Sequence, residues 1–91
     1  MIESQGLAFT VTVSAFDTGE VAELFITNHR TSGGAGIMAS DAAIAASLAL
    51  QHGCPAEVLR RALARDARGN ASGPLGCALD AIFEQQKGEA S

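Results

Sequence analysis

Residues Leu7 to Phe16 read Leu-Ala-Phe-Thr-Val-Thr-Val-Ser-Ala-Phe, and this strict alternation has the period of two that marks a strand buried on one side. Leu7, Phe9, Val11, Val13 and Ala15 share one face, and Thr10, Thr12 and Ser14 share the other. Asp17-Thr18-Gly19 follows. A three-residue connection with glycine in third place suits a type I turn closed by a G1 bulge, in which the glycine takes a positive φ. Val21 to Thr27 then returns as the second strand of an antiparallel hairpin. Its inward face is open to two choices, because Ala22, Leu24 and Ile26 alternate with Val21, Glu23 and Phe25. Phe16, Val21 and Phe25 are candidates for covering something on the far side.

A hairpin of two strands is marginally stable and leaves unpaired edges, so the rest of the chain has to cover it. The segment from about Ile37 to His52 reads as a long helix stopped by Gly53 at C′, with Ile37, Ile44 and Leu48 as one stripe. Ala39, Ala42, Ala43, Ala45, Ala46 and Ala49 surround that stripe and allow other backbone to approach closely. Pro55 suits the first position of a second helix running to about Ala64, with Glu57 near the positive end of its dipole. Val58, Leu59, Ala62 and Leu63 are expected inward on it, Arg60 and Arg61 outward. A polar loop from Arg65 to Gly73 leads to a third helix beginning at Pro74, in which Leu75, Leu79, Ile82 and Phe83 recur at helical spacing. The tail from Lys87 is expected to fray. The fold class is α+β: one antiparallel hairpin packed on about three helices, a single domain with an ordered core over about residues 7–86.

Composition makes that core thin. Of the 91 residues, 18 are alanine, while Val, Ile, Leu, Met and Phe together number 23, and Trp and Tyr are absent. A chain of this length buries only about 60 to 65% of its extended surface, which leaves little margin over conformational entropy. A homodimer is therefore expected, its two hairpins joined into a four-stranded sheet. The net charge of −4 argues against a general nucleic-acid or membrane-surface binder. The start, Met1-Ile2-Glu3-Ser4-Gln5, lacks a basic leader region, and no membrane span is expected, so the chain reads as cytoplasmic. Cys54 and Cys77 are too far apart for a CxxC motif and too few for a metal site, so reduced thiols with no metal and no cofactor are expected.

Two features are candidates for binding. In Thr31-Ser32-Gly33-Gly34-Ala35-Gly36, the glycines Gly33, Gly34 and Gly36 precede a helix, where converging backbone N–H groups hold phosphates. The loop lacks the Gly-Lys-Ser/Thr of a P-loop, and a mobile connector is the competing reading. Arg60, Arg61, Arg65 and Arg68 crowd nine positions, and Arg61, Arg65 and Arg68 share a face if the second helix extends that far. Such a patch suits a phosphate or an acidic partner; the competing reading is a solvated face paired with Glu57 or Asp66. His29 and His52 read as caps at element ends, and Asp80 as a surface or capping carboxylate. No catalytic residues assemble from the sequence.

The hairpin, the Gly-containing loop and the run Ser47-Leu48-Ala49-Leu50-Gln51-His52-Gly53-Cys54-Pro55-Ala56-Glu57-Val58 together resemble the TSCPD domain, found near the C-terminus of adenosylcobalamin-dependent ribonucleotide reductases and as small free-standing proteins. Gly19-Glu20-Val21-Ala22-Glu23-Leu24-Phe25-Ile26 looks like that family's second strand. Ser72-Gly73-Pro74-Leu75-Gly76 with Ala78-Leu79-Asp80-Ala81-Ile82 looks like the end of its free-standing branch. The likeness covers roughly residues 7–84. The Thr-Ser-Cys-Pro-Asp motif itself is missing, with Cys77-Ala78-Leu79-Asp80 as its nearest remnant, so no cysteine role carries over. The reductase reaction does not carry over either, because radical chemistry needs a barrel, a cobalamin site and several cysteines. The resemblance implies a non-catalytic accessory or interaction domain, contacting a ribonucleotide reductase or a nucleotide through Gly33, Gly34, Gly36, Arg61, Arg65 and Arg68. A small nucleic-acid-binding homodimer and an enzyme working through Cys54 or Cys77 are the alternatives; a reductase-linked activity would follow from the family likeness alone.

Overall fold

The computed structural model describes residues 2–4, 6–28 and 34–90, with side chains through residue 85. Its elements run β1 (Ile2–Ser4), β2 (Leu7–Ala15), β3 (Val21–Asn28), α1 (Gly34–Gln51), α2 (Ala56–Ala62) and α3 (Pro74–Ala90). The class is α+β. The strands form one antiparallel sheet in the order β1-β2-β3, so the expected hairpin is the larger part of a three-stranded sheet.

The hairpin turn follows from its residues. Phe16 N–H donates to Glu20 O at 2.8 Å and Gly19 N–H to Phe16 O at 2.9 Å, while Gly19 takes φ +93°. Beyond it, β2 and β3 pair from Ala15↔Val21 to Phe9↔Asn28, with an irregularity at Ser14/Ala15. The third strand was not visible as a periodic pattern, because β1 is only three residues long and its register ends at Ser4↔Leu7. Gly6, at φ +78°, turns the chain from β1 into β2. Ser4 is buried, and its hydroxyl donates to Ser72 O at 3.4 Å, which ties β1 to the approach of α3. Residues 2–4 therefore belong to the sheet.

The core joins Phe9, Leu24 and Ile26 of the sheet to Ala39, Ala43, Ala46 and Leu50 of α1 and to Leu75, Ala78 and Leu79 of α3. Leu24 and Ile26 decide which face of β3 turns inward, and Phe25 on the other face is exposed. Val21 is buried beside the irregularity rather than on the far side with Phe16 and Phe25, both of which are exposed. The inward face of β2 is covered only over part of its length: Phe9 is buried and Val11 half-buried, but Val13 is exposed.

Helix α1 reverses the expected arrangement. Its buried side is made of Ala39, Ala43, Ala46, Ser47 and Leu50, whereas the stripe of Ile37, Ile44 and Leu48 faces outward. Small side chains let α1 lie close against the sheet, and Ser47 uses the closeness. Its hydroxyl accepts from Leu24 N–H at 2.9 Å and lies 3.0 Å from Leu24 O and 2.9 Å from Ala43 O, carbonyls to which its one proton can be given. β3 is an edge strand, and at Leu24 this hydroxyl takes the place of a neighbouring strand. α1 is also, among the described residues, the one helix long and apolar enough to cross a membrane by length and composition, a property the sequence reading did not assign to any segment.

Helix α3 packs through its glycine as well as its leucines. A Cβ at Gly76 would lie 2.9 Å from the Ala71 Cβ, so only glycine lets the preceding loop rest on this helix. α3 continues helical to Ala90, past the point at Lys87 where fraying was expected.

Replacing Ser47 by alanine removes the acceptor of a buried N–H, and the expected loss of stability is about 1 to 3 kcal/mol. Urea unfolding of Ser47→Ala against the wild type measures it; coincident midpoints would show that the hydroxyl does not hold α1 to β3.

Candidate functional site

The arginine segment of the sequence becomes an ion cluster built by α2, the loop after it and α3. Arg65 grips the Asp80 carboxylate with both ends of its guanidinium, Nη2 to Oδ1 at 2.8 Å and Nη1 to Oδ2 at 2.9 Å. Arg60 adds Nε to Oδ1 at 2.8 Å and reaches both Glu57 oxygens through Nη1, at 3.3 and 3.2 Å. Its guanidinium lies 4.8 Å from the centroid of the Phe83 ring, within range of a cation–π contact. Arg65 also donates to Gly69 O at 2.9 Å and to Arg60 O at 3.2 Å. Two guanidiniums thus meet two carboxylates in a cluster without net charge.

The loop that presents Arg65 is a tight hairpin. Arg65 and Ala71 form an isolated antiparallel bridge, and Asp66 N–H donates to Asn70 O at 2.9 Å. The Asp66 carboxylate accepts the N–H groups of Arg68 and Asn70 at 2.9 and 3.0 Å, and Gly69 takes φ +87°. Ser72 N–H returns to Ala64 O at 2.9 Å. These bonds carry the Arg65 backbone to a point where its side chain spans to α3.

This geometry corrects the sequence reading of the arginines. α2 begins after Pro55, which is its N-cap, and ends at Ala62, with Leu63 extended at φ −79° and ψ 156°. Arg61, Arg65 and Arg68 therefore do not share a helix face. Arg65 is committed to Asp80, Arg61 is exposed on α2, and Arg68 is exposed on the turn. Arg60, expected outward, is the residue that turns inward onto α3, and Asp80, expected as a surface or capping carboxylate, is the centre of the cluster. Nothing in the sequence links Arg60 or Arg65 to a carboxylate fifteen to twenty positions away, so the pairing appears only once α2 and α3 are packed.

The glycines do not complete an anion site with them. Gly33 lies outside the described residues, as does His29. Gly34 and Gly36 belong to the first turn of α1 rather than to a loop. Gly36 lines a cleft of about 280 Å³ with Ile26, Asn28, Ile37 and Asp41, and the Asp41 carboxylate there opposes an anion. A second, apolar cleft of about 390 Å³ lies between β2, the start of α1 and the start of α3, lined by Leu7, Phe9, Met38, Leu63 and Leu75 among others. A third, of about 620 Å³, is lined by Phe16, Glu20, Cys54, Glu57 and Phe83. No arginine lines any of the three.

The remaining candidates sit in local contacts. Cys77 Sγ approaches Ala71 O at 3.6 Å and Cys54 Sγ approaches Pro55 O at 3.7 Å; both thiols are free. His52 closes the last turn of α1, its Nδ1 2.9 Å from Leu48 O, which fits the capping role expected of it. Among the described residues no group of three His, Cys, Asp or Glu side chains is placed to hold a metal ion.

Comparison with protein families, with curated proteins and with solved structures found no match.

The cluster sets a pH dependence. The hydrogen bonds from Arg65, followed by those from Arg60, hold the Asp80 pKa at about 2, although partial burial opposes the shift. Asp80 also raises both guanidinium pKa values, chiefly through its hydrogen bonds. Because the folded carboxyl titrates below the unfolded one, its contribution is present above about pH 4 and is lost as the pH falls toward 2. Solvent screening at this partly exposed site reduces it to on the order of 1 kcal/mol. Asp80→Asn is expected to lower stability at pH 7 and to flatten the acid limb of a stability profile followed by circular dichroism. An unchanged acid limb would mean that Asp80 is not the group titrating there.

Proposed function

We propose that this chain is a non-catalytic, cytoplasmic interaction module that works through protein contact, with a ribonucleotide reductase as the partner class implied by its resemblance to the TSCPD domain. The observation that carries the reading is the outward face of α1, where Ile37, Ile44 and Leu48 are 58%, 47% and 54% exposed while the alanines of the same helix fill the core. A helix apolar on both faces ordinarily has both covered. An apolar patch of this kind on a small acidic domain favours a protein surface over a nucleic acid.

A nucleotide or phosphate partner has less behind it. Asp80 already satisfies Arg65, and Gly36 shares its cleft with Asp41, which among the described residues leaves Arg61 and Arg68 as exposed arginines.

Calorimetric titration of the purified chain into an adenosylcobalamin-dependent ribonucleotide reductase tests the module reading. Micromolar binding that is lost in Ile37→Asp and retained in Arg61→Glu is the expected result. ATP binding that disappears in Arg61→Glu, with no heat from the reductase, would contradict it.

A further inference from the structure

Ala35, Met38, Ala39 and Ala42 recur along α1 at i, i+3, i+4 and i+7, so they share one face. That face adjoins the buried side of the helix and lies away from Ile44 and Leu48. With β2 and the start of α3 it lines the apolar cleft of about 390 Å³. Phe9, Ala39 and Leu75 are buried and give the cleft an apolar floor, while Met38 is 73% exposed and stands at its rim. Ala42, Ala64 and Gly73 leave the space open, because none of them carries a side chain beyond Cβ. At about 30 Å³ for a group the size of a water molecule, the cleft has room for on the order of a dozen methylenes.

The lining decides what chemistry fits. Its one polar side chain among the described residues is Ser4, whose hydroxyl already donates to Ser72 O at 3.4 Å. A peptide laid there would lose water from its amide groups and find few partners, whereas a hydrocarbon chain needs none. The other two clefts hold carboxylates, Asp41 in one and Glu20 and Glu57 in the other, and this one holds none. Two helices also begin at its edge, α1 at Gly34 and α3 at Pro74, with Ala35, Pro74 and Leu75 in the lining. The first-turn N–H groups of a helix lack intrahelical partners and carry the positive end of its dipole, so the local field favours an anion.

We propose that this cleft binds a medium-chain monocarboxylic acid, its hydrocarbon chain on Phe9, Ala39 and Leu75 and its carboxylate at the mouth beside the two helix starts. The apolar space makes the site, and the helix starts set the sign of the head group. The site is separate from the outward face of α1 that carries the interaction-module reading, so neither depends on the other. The net charge of −4 opposes an anion at long range, but salt confines that repulsion to roughly 10 Å at about 0.1 M. A dissociation constant on the order of 10 to 100 μM is expected for dodecanoic acid.

Calorimetric titration of the full chain with octanoic, decanoic, dodecanoic and tetradecanoic acids, each below its aggregation threshold, tests the proposal, with circular dichroism melts confirming that each variant folds. Affinity is expected to rise about two- to fourfold for each added methylene, the upper value being that of full burial, and to level off near dodecanoic acid. Ala42→Phe fills the cleft and is expected to weaken dodecanoic acid binding at least about tenfold, the loss of a few buried methylenes. Met38→Asp, at an exposed position, is expected to weaken it about fivefold by setting a carboxylate against the head group. This second variant keeps the test decisive if the larger residue at Ala42 unfolds the chain. Leu48→Asp, on the outward face, should leave the affinity within about twofold of the wild type, as a distant site does. Absence of binding by all four acids at millimolar concentration overturns the proposal. So does binding that is lost in Leu48→Asp and kept in Met38→Asp, which would move the hydrocarbon chain to the outward face, and so does a steady gain through tetradecanoic acid, the mark of adsorption on an open surface. Equal affinity for dodecanol overturns the assignment of the carboxylate.

Discussion

A serine hydroxyl can bond to the backbone of a strand only if the helix that carries it lies directly against that strand, and such an approach requires facing side chains hardly larger than alanine. Ala39, Ala43 and Ala46 supply that surface on α1, and Ser47 uses it to hold Leu24 N–H. The rotation of the helix follows. With the small face against β3, Ile37, Ile44 and Leu48 have nowhere to go but outward. One close contact thus determines the burial of Leu24 and Ile26, the closure of the sheet edge at Leu24 and the apolar face available to a partner.

The hairpin was the most legible part of the sequence, because a strand's period of two and the Asp17-Thr18-Gly19 turn are local signals that tertiary packing did not override. β1 was illegible for the converse reason: three residues are too few for a period, and what holds Ser4 is Ser72, far along the chain. The helix boundaries were mostly readable from Gly53, Pro55 and Pro74. The orientation of α1 was not. Hydrophobic patterning assigns the larger aliphatic stripe to the core, and in this helix closeness of approach prevailed over area buried per residue. The lone Ser47 within a run of alanines, one turn from both Ala43 and Leu50, was the available sign that this side meets backbone.

The candidate site was legible only as a concentration of arginines. Spacing placed Arg61, Arg65 and Arg68 on a common face, but the helix that would have aligned them stops at Ala62. The side chains then sort by reach: Arg60 and Arg65 close on Asp80, while Arg61 and Arg68 remain in solvent. A patch that looked suited to an external anion has half its charge matched within the chain. The cluster reads as a clamp that fixes α2 and its loop to α3, with Gly76 admitting the loop and Phe83 lying under Arg60. Functional weight shifts from the arginines to α1.

That shift depends on α1 having its small face inside. Thermal unfolding of Ala43→Leu beside Leu48→Ala, both at low micromolar concentration or below where self-association is negligible, compares the two faces directly. Ala43 is fully buried and Leu48 is 54% exposed, so Ala43→Leu is expected to be the damaging change. Overpacking at Ala43 should cost about 1 to 3 kcal/mol, and removing Leu48 should stay within about 0.5 kcal/mol of the wild type. The reverse order, a tolerated leucine at Ala43 and a severe loss in Leu48→Ala, would mean that the large stripe lies in the core and would contradict the account.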